Sequence, residues 1–137
     1  MKVFLDTNVL VASVATRGLC SELLELVIHD HELLTCQPVL SELERVLADK
    51  LRIPSPVITG FIGLLKSEAR IVEPGEHPAV SIKDAADLPI LASAVSARAD
   101  VFVTGDRELL GLRRIGDLPI VSPRDLWLQL AGVEPPK

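Results

Sequence analysis

The sequence predicts an α/β domain, a central parallel sheet with helices on both faces, and three observations carry that prediction. Short aliphatic segments alternate with stretches whose apolar residues recur at helical spacing, the pattern of right-handed strand–helix–strand crossovers. The apolar residues make up 48% of the chain and are Leu, Val, Ile and Ala, with only three Phe, one Trp and no Tyr. That mixture suits strands buried on both faces. The length, 137 residues, fits one domain, placed over residues 1–132, with residues 133–137 a frayed, flexible tail.

Residues 2–6 read as a short buried strand ending at Asp6. Residues 19–29 read as a helix, because Leu19, Leu23, Leu26 and Val27 fall on one face. Residues 32–36 form a second strand candidate. Pro38 then opens a helix, since its missing N–H costs nothing in the first turn, and Val39, Leu43, Val46 and Leu47 follow at core spacing. A third helix runs near residues 57–66 and a short strand over 70–72. The Pro/Gly-rich stretch 73–78 is a loop. Residues 87–99 read as a helix in which Pro89 is tolerated only in the first turn. Residues 100–103 and 118–121 are the last strands, and Pro123 starts a terminal helix holding Leu126 and Trp127.

Composition narrows the function classes. No apolar run approaches the roughly 20 residues of a spanning helix, so no membrane role is expected. Met1-Lys2 leads into Val3-Phe4-Leu5-Asp6, too short and too soon acidic for a signal peptide. Cys20 and Cys36 make neither a metal-type pair nor a disulfide framework. The expected setting is a reducing cytoplasm. The net charge of −5 argues against nucleic acid, which favours basic proteins, unless clustered carboxylates are there to hold cations.

The acidic residues are where chemistry is expected. In a parallel sheet, ligands bind beyond the carboxyl ends of the strands, where strand order reverses. Asp6 ends the first strand and Asp106 ends a later one, so both lie on that edge. Each alone is equally well explained as a helix N-cap. Asp84 and Asp87 stand three residues apart before a helix. One of them is a cap, and Asp87 is the preferred functional member, with Asp84 its neighbour. Glu42 flanks the Leu43 and Val46 stripe early in its helix. On periodicity alone it is a solvated glutamate, beside a Ser41–Glu44 capping box. Together, however, carboxylates converging on one edge repel one another unless a cation neutralises them. Oxygen-only ligands select Mg²⁺ or Mn²⁺, ions that activate water and clamp phosphate oxygens.

Four segments carry a family resemblance: Val3-Phe4-Leu5-Asp6-Thr7-Asn8-Val9-Leu10, Ser41-Glu42-Leu43, Asp87-Leu88-Pro89-Ile90-Leu91-Ala92 and Ala99-Asp100-Val101-Phe102-Val103-Thr104-Gly105-Asp106. In order and spacing they resemble the PIN-domain family, specifically the VapC-like toxins of bacterial toxin–antitoxin pairs, over nearly the whole chain. The resemblance implies a three-layer α/β/α fold and Mg²⁺- or Mn²⁺-dependent cleavage of single-stranded RNA. It makes Asp6, Glu42, Asp87 and Asp106 the acidic set, with Asp6 and Asp106 as direct ligands and Glu42 and Asp87 completing the site or orienting water. Thr104 would hold the surrounding shell through its hydroxyl, and Thr7 or Asn8 would do the same from the first turn. Glu108 stands where related sequences often carry another acid, and Asp84 stays ambiguous. The resemblance also implies a homodimer and a neutralising antitoxin protein.

RNA needs a positive rim, because phosphate contacts supply most of its affinity. Arg107, Arg113 and Arg114 follow the Asp106 motif and Arg17 follows the first strand, so all four are candidates for that edge, though each alone reads as a solvated arginine. With almost no aromatics to stack bases, intrinsic RNA affinity is expected to be modest. Other readings fit less well. A dinucleotide fold or a P-loop wants a Gly-rich turn where Asp6-Thr7-Asn8 stands. A haloacid-dehalogenase-type phosphatase wants Asp at position 8, and a receiver-like domain wants a Lys after a late strand, where Pro119-Ile120-Val121-Ser122-Pro123 supplies none. The alternative of another class is a PIN fold that has lost catalysis and serves as a binding or scaffolding module, which need not retain metal. His29, His31 and His77 are assigned no chemistry.

Overall fold

The computed structural model describes residues 1–132; the tail expected at 133–137 lies outside them. The strand segments that read as purely aliphatic are the ones that stack side by side. β1 (Lys2–Leu5) pairs in parallel with β2 (Glu32–Thr35) on one side and β4 (Val101–Val103) on the other. β2 pairs with β3 (Arg70–Ile71), and β4 with β6 (Leu118–Val121), again in parallel. The six-stranded order is β3-β2-β1-β4-β6-β5. Strand order therefore reverses between β1 and β4, and the crevice beyond their carboxyl ends is where a site belongs.

β5 (Arg114–Ile115) was not expected from the sequence and is the exception to parallel pairing. It joins β6 through the two-residue turn Gly116-Asp117, whose first position has φ 57°. Glycine meets that demand without a Cβ penalty.

The helices cover the sheet as the apolar spacing predicts, with shifted ends. They are α1 (Thr7–Ala15), α2 (Leu19–Asp30), α3 (Gln37–Arg45), α4 (Ser55–Glu68), α5 (Asp87–Ser96), α6 (Arg107–Leu112) and α7 (Pro123–Leu130). The stripe through Val46 and Leu47 continues α3 as a single π-helical stretch, Val46–Lys50, rather than as an α-helix. α5 stops at Ser96, and Asp100 is outside β4, its carboxylate accepting the Lys2 N–H at 2.6 Å. The core is continuous from the sheet to both helical layers. Val3, Phe4, Leu5, Leu34, Val39, Leu43, Leu91 and Phe102 are fully buried. Phe4 and Phe102, cross-strand neighbours in the β1–β4 register, stack with ring centroids 5.4 Å apart, which locks the two strands that bear the acidic residues. Among the described residues no helix is long and apolar enough to cross a membrane.

Candidate active site

β1 and β4 end side by side, and each passes directly into a helix through an aspartate. Asp6 is the N-cap of α1 and Asp106 the N-cap of α6, so the capping explanation holds for both. It does not exhaust them. Asp6 is almost fully buried, and its carboxylate takes three hydrogen bonds. Oδ1 accepts the Thr7 N–H at 2.8 Å; Oδ2 accepts the Thr104 hydroxyl at 2.8 Å and the Asn8 amide at 3.2 Å. Thr104, with no exposed surface, is the centre of this network. Its Oγ1 donates to Asp6 and accepts from the Asp106 N–H at 3.0 Å and from Asn8 Nδ2 at 3.1 Å. Asn8 Oδ1 in turn accepts the Gly105 N–H at 2.9 Å. The two strand ends are thereby tied into one unit. Asp106 uses Oδ1 to accept Glu108 N–H at 2.8 Å and Leu109 N–H at 3.4 Å.

Of the alternatives Thr7 and Asn8, it is Asn8 whose side chain joins the shell. Thr7 contributes its backbone N–H and not its hydroxyl, since Thr7 Oγ1 is buried with no hydrogen-bond partner among the described residues. Glu42 is not early in its helix: α3 starts at Gln37, with Cys36 as N-cap, so Glu42 sits half-buried in the middle and no Ser41–Glu44 capping box exists. The helix starts at Gln37, one residue before Pro38, so Glu42 is its sixth residue. Asp87 is likewise not a cap. Ala86 holds that place, Asp87 is the first helical residue, and Asp84 Oδ1 accepts the Ala86 N–H at 3.0 Å.

Electrostatically the acids form one group. Burial raises the Asp6 carboxyl above its ordinary range, against the lowering by Thr104 and Thr7, and the charges of Glu42 and Asp106 add to the rise. Asp87 is pushed from 3.8 to about 7, first by burial and then by Asp6, Asp84, Glu42 and Asp106. The positive end of α5 favours the carboxylate, yet burial and the neighbouring charges prevail. Burial also lifts the Cys36 thiol, and both Asp6 and Glu42 act on it. Cys36 thus lies under the acidic group, a position that spacing between cysteines could not reveal.

A folded-state value raised above the unfolded one stabilises below about 3.8, and that stability is lost as pH rises through about 7. The metal-free protein should therefore melt lower at pH 8 than at pH 5, relative to Asp87→Asn, which stays neutral. Because Asp87 is only half-buried, screening leaves about 1–2 kcal/mol, a few degrees in Tm. Parallel melting curves for the two proteins would refute the strained-carboxylate account.

All donors in the group are oxygens, and unneutralised they repel one another, so their chemistry suits a hard divalent cation. Among the described residues, though, no three acidic, His or Cys side chains stand close enough to form a closed metal cage. Asp6 has both oxygens engaged by the Thr7, Thr104 and Asn8 bonds, whereas Asp106 uses only Oδ1, for its cap.

The basic rim is thinner than expected. Arg107 is exposed and directly follows Asp106. Arg114 pairs with Pro119 on the outermost strand, one residue before Ile120, the partner of Phe102. Arg114 is thus level with the start of β4, whereas Arg113, whose carbonyl accepts the Ile120 N–H at 2.8 Å, is level with Phe102 in the middle of that strand. Arg17 is exposed in the turn between α1 and α2. Glu108 faces the loop before α5, where both its carboxylate oxygens accept the Lys83 N–H, at 3.0 and 3.3 Å. A groove of about 670 Å³ lined by Arg98, Asp100, Asp117 and Leu118 lies at the amino ends of β4 and β6, apart from the acidic edge.

The profile of the PIN domain matches residues 2–108, a span that contains every acid of the group. The chain belongs to the PIN-domain family. That family is one of nucleases that generally use divalent metal ions. Among solved structures, the VapBC2 complex of Rickettsia felis bound to a DNA fragment from its promoter is similar in fold. Its TM-score is 0.65 at 19% identity, over 89% of this chain and 98% of that one. VapBC-1 of nontypeable Haemophilus influenzae gives 0.64 at 20% identity, over 90% and 99%. Among curated proteins no relative matches this PIN domain.

Proposed function

We propose that this PIN domain is a Mg²⁺- or Mn²⁺-dependent endoribonuclease that hydrolyses RNA phosphodiester bonds, acting in the cytoplasm as the toxin of a toxin–antitoxin pair. One observation carries the reading. Asp6 and Asp106 are bound into a single unit at the switch point by Thr104 and Asn8, with Glu42 and Asp87 in the same electrostatic field. Asp6 and Asp106 would hold the cation, and Glu42 and Asp87 would complete the site. Bound there, the cation would neutralise phosphate oxygens and promote attack by water. Thr104 aims Asp6 and favours its ionised form by donating to Oδ2, and Arg107 offers a phosphate contact beside Asp106. An antitoxin partner is supported by the likeness to VapBC assemblies, and a homodimer is what the VapC-like motifs imply.

The lack of a closed cage among the described residues favours a second reading, a PIN-fold binding module without catalysis. Thermal unfolding against Mn²⁺ concentration separates the two. Metal bound only by the folded state stabilises it by about 2.7 kcal/mol at a hundredfold excess over Kd. The nuclease reading expects that rise in wild type, a much smaller one in Asp106→Asn, and Mn²⁺-dependent cleavage of single-stranded RNA. No rise at millimolar Mn²⁺, with or without RNA, would establish the binding module.

A further inference from the structure

Glu108 follows the N-cap Asp106 by two residues on α6, yet its carboxylate is directed at the loop that leads into α5. Both oxygens accept one backbone N–H, that of Lys83. The loop spans residues 72–86 and carries Asp84 just before Asp87. Its other recorded ties lie at its far end or within itself. Val72 N–H bonds Thr35 O, Ser96 Oγ bonds Glu73 O, and Asp84 bonds Ala86 and Asp87 locally. Val80 and Ile82 pack against the core, but near position 83 Glu108 supplies the only side-chain hydrogen bond from another element, among the described residues.

The same glutamate has its N–H bonded to Asp106 Oδ1 at 2.8 Å. A chain of contacts therefore runs from Asp106 through Glu108 to Lys83, and along one turn of backbone to Asp84 and Asp87. We infer that Glu108 is a positioning residue that sets the distance between the Asp106 and Asp87 carboxylates by clamping the Lys83 N–H, and is not itself a metal ligand. The inference rests on the metal-dependent reading of the site. It assigns a role to the acid next to the catalytic group through chemistry seen in the fold. A carboxylate with both oxygens on one amide turns one lone pair of each toward the loop, and a charged acceptor makes a stronger bond to that amide than a neutral one.

Glutamine at 108 keeps an oxygen for the Lys83 N–H but is a poor ligand for a hard cation; alanine offers neither. Two readouts are needed: Mn²⁺ affinity by calorimetry, and amide exchange at Lys83 by NMR without metal, on wild type, Glu108→Gln and Glu108→Ala. The clamp predicts that Glu108→Ala speeds Lys83 exchange about tenfold and weakens Mn²⁺ binding roughly tenfold, as loss of an orienting contact does. Glu108→Gln should recover most of both. If Glu108→Gln loses Mn²⁺ as severely as Glu108→Ala while Lys83 stays protected, Glu108 is a ligand and the inference is wrong. Lys83 exchange that is equal in all three proteins removes the clamp alone and leaves the nuclease reading standing. A wild type that takes up no Mn²⁺ overturns both readings together.

Discussion

Asp6→Asn is expected to lower Mn²⁺-dependent RNA cleavage by roughly three orders of magnitude, about 4 kcal/mol of transition-state stabilisation, while the fold persists. Asparagine caps helices as well as aspartate does, so the bond from Thr7 N–H to the 6 side chain, 2.8 Å in the native protein, survives at one oxygen. The other end changes character. Asp6 Oδ2 accepts from Thr104 and Asn8, and an amide NH₂ placed there sets donors against donors. That cost is offset by removing a buried charge whose ionisation is opposed by burial, Glu42 and Asp106. The metal-free Tm should thus move by only a few degrees. A second readout comes from Asp87. Asp6 is the foremost charge raising it, so an NMR titration of the variant should find Asp87 ionising at lower pH. Cleavage within tenfold of wild type would remove Asp6 from the reacting centre. An unchanged Asp87 titration would show that the two carboxylates do not share one field.

The sheet was legible because its strands are short aliphatic runs with no competing period, and the long helices because Leu23, Leu43, Ile58 and Leu126 recur at core spacing. α1 was not legible. It has no charged residue, its apolar side chains point all round, and Val9, Val11 and Val14 are β-branched, which lowers helix propensity. Tertiary packing, with Val9 and Leu10 buried, makes it a helix. α6 has six residues and β5 two, too few for periodicity to act on. At the site, Asp6 and Asp106 were readable as residues at strand ends. Their union through Thr104 needed the β1–β4 pairing, which no local pattern states. Glu42 was misplaced because helix starts are ambiguous by a residue or two. The antiparallel return of β5, which carries Arg114, had no signal of its own. Lys83 carried no signal at all: its part is played by a backbone N–H, which every residue but proline has.

Thr104→Val should cost the metal-free protein about 3 kcal/mol, roughly 10 °C in Tm, and lower cleavage ten- to a hundredfold. Valine has nearly the same shape, so no cavity opens. What disappears is a fully buried hydroxyl that serves three groups, of which Asp6 is buried, Asp106 half-buried and Asn8 exposed. The Asp6 carboxylate loses its 2.8 Å donor, and the Asp106 N–H loses its 3.0 Å acceptor. Asn8 Nδ2 keeps only its bond to Asp6 at 3.2 Å. Buried polar groups stripped of partners carry their full desolvation cost. Thr104 also opposes the rise of the Asp6 carboxyl, so without it Asp6 ionises at higher pH and competes less well for a cation at neutral pH. Two effects thus act together, one on stability and one on the availability of the carboxylate. Thr104→Ser separates the hydroxyl from the methyl. It restores the three bonds and should recover most of the Tm and of the Mn²⁺ affinity, short of the small loss from the missing methyl. If serine behaves like valine, packing at the end of β4 and not the hydroxyl holds the two aspartates in place. The hydrogen-bonded union of the strand ends would then be a by-product of the fold rather than the device that builds the site.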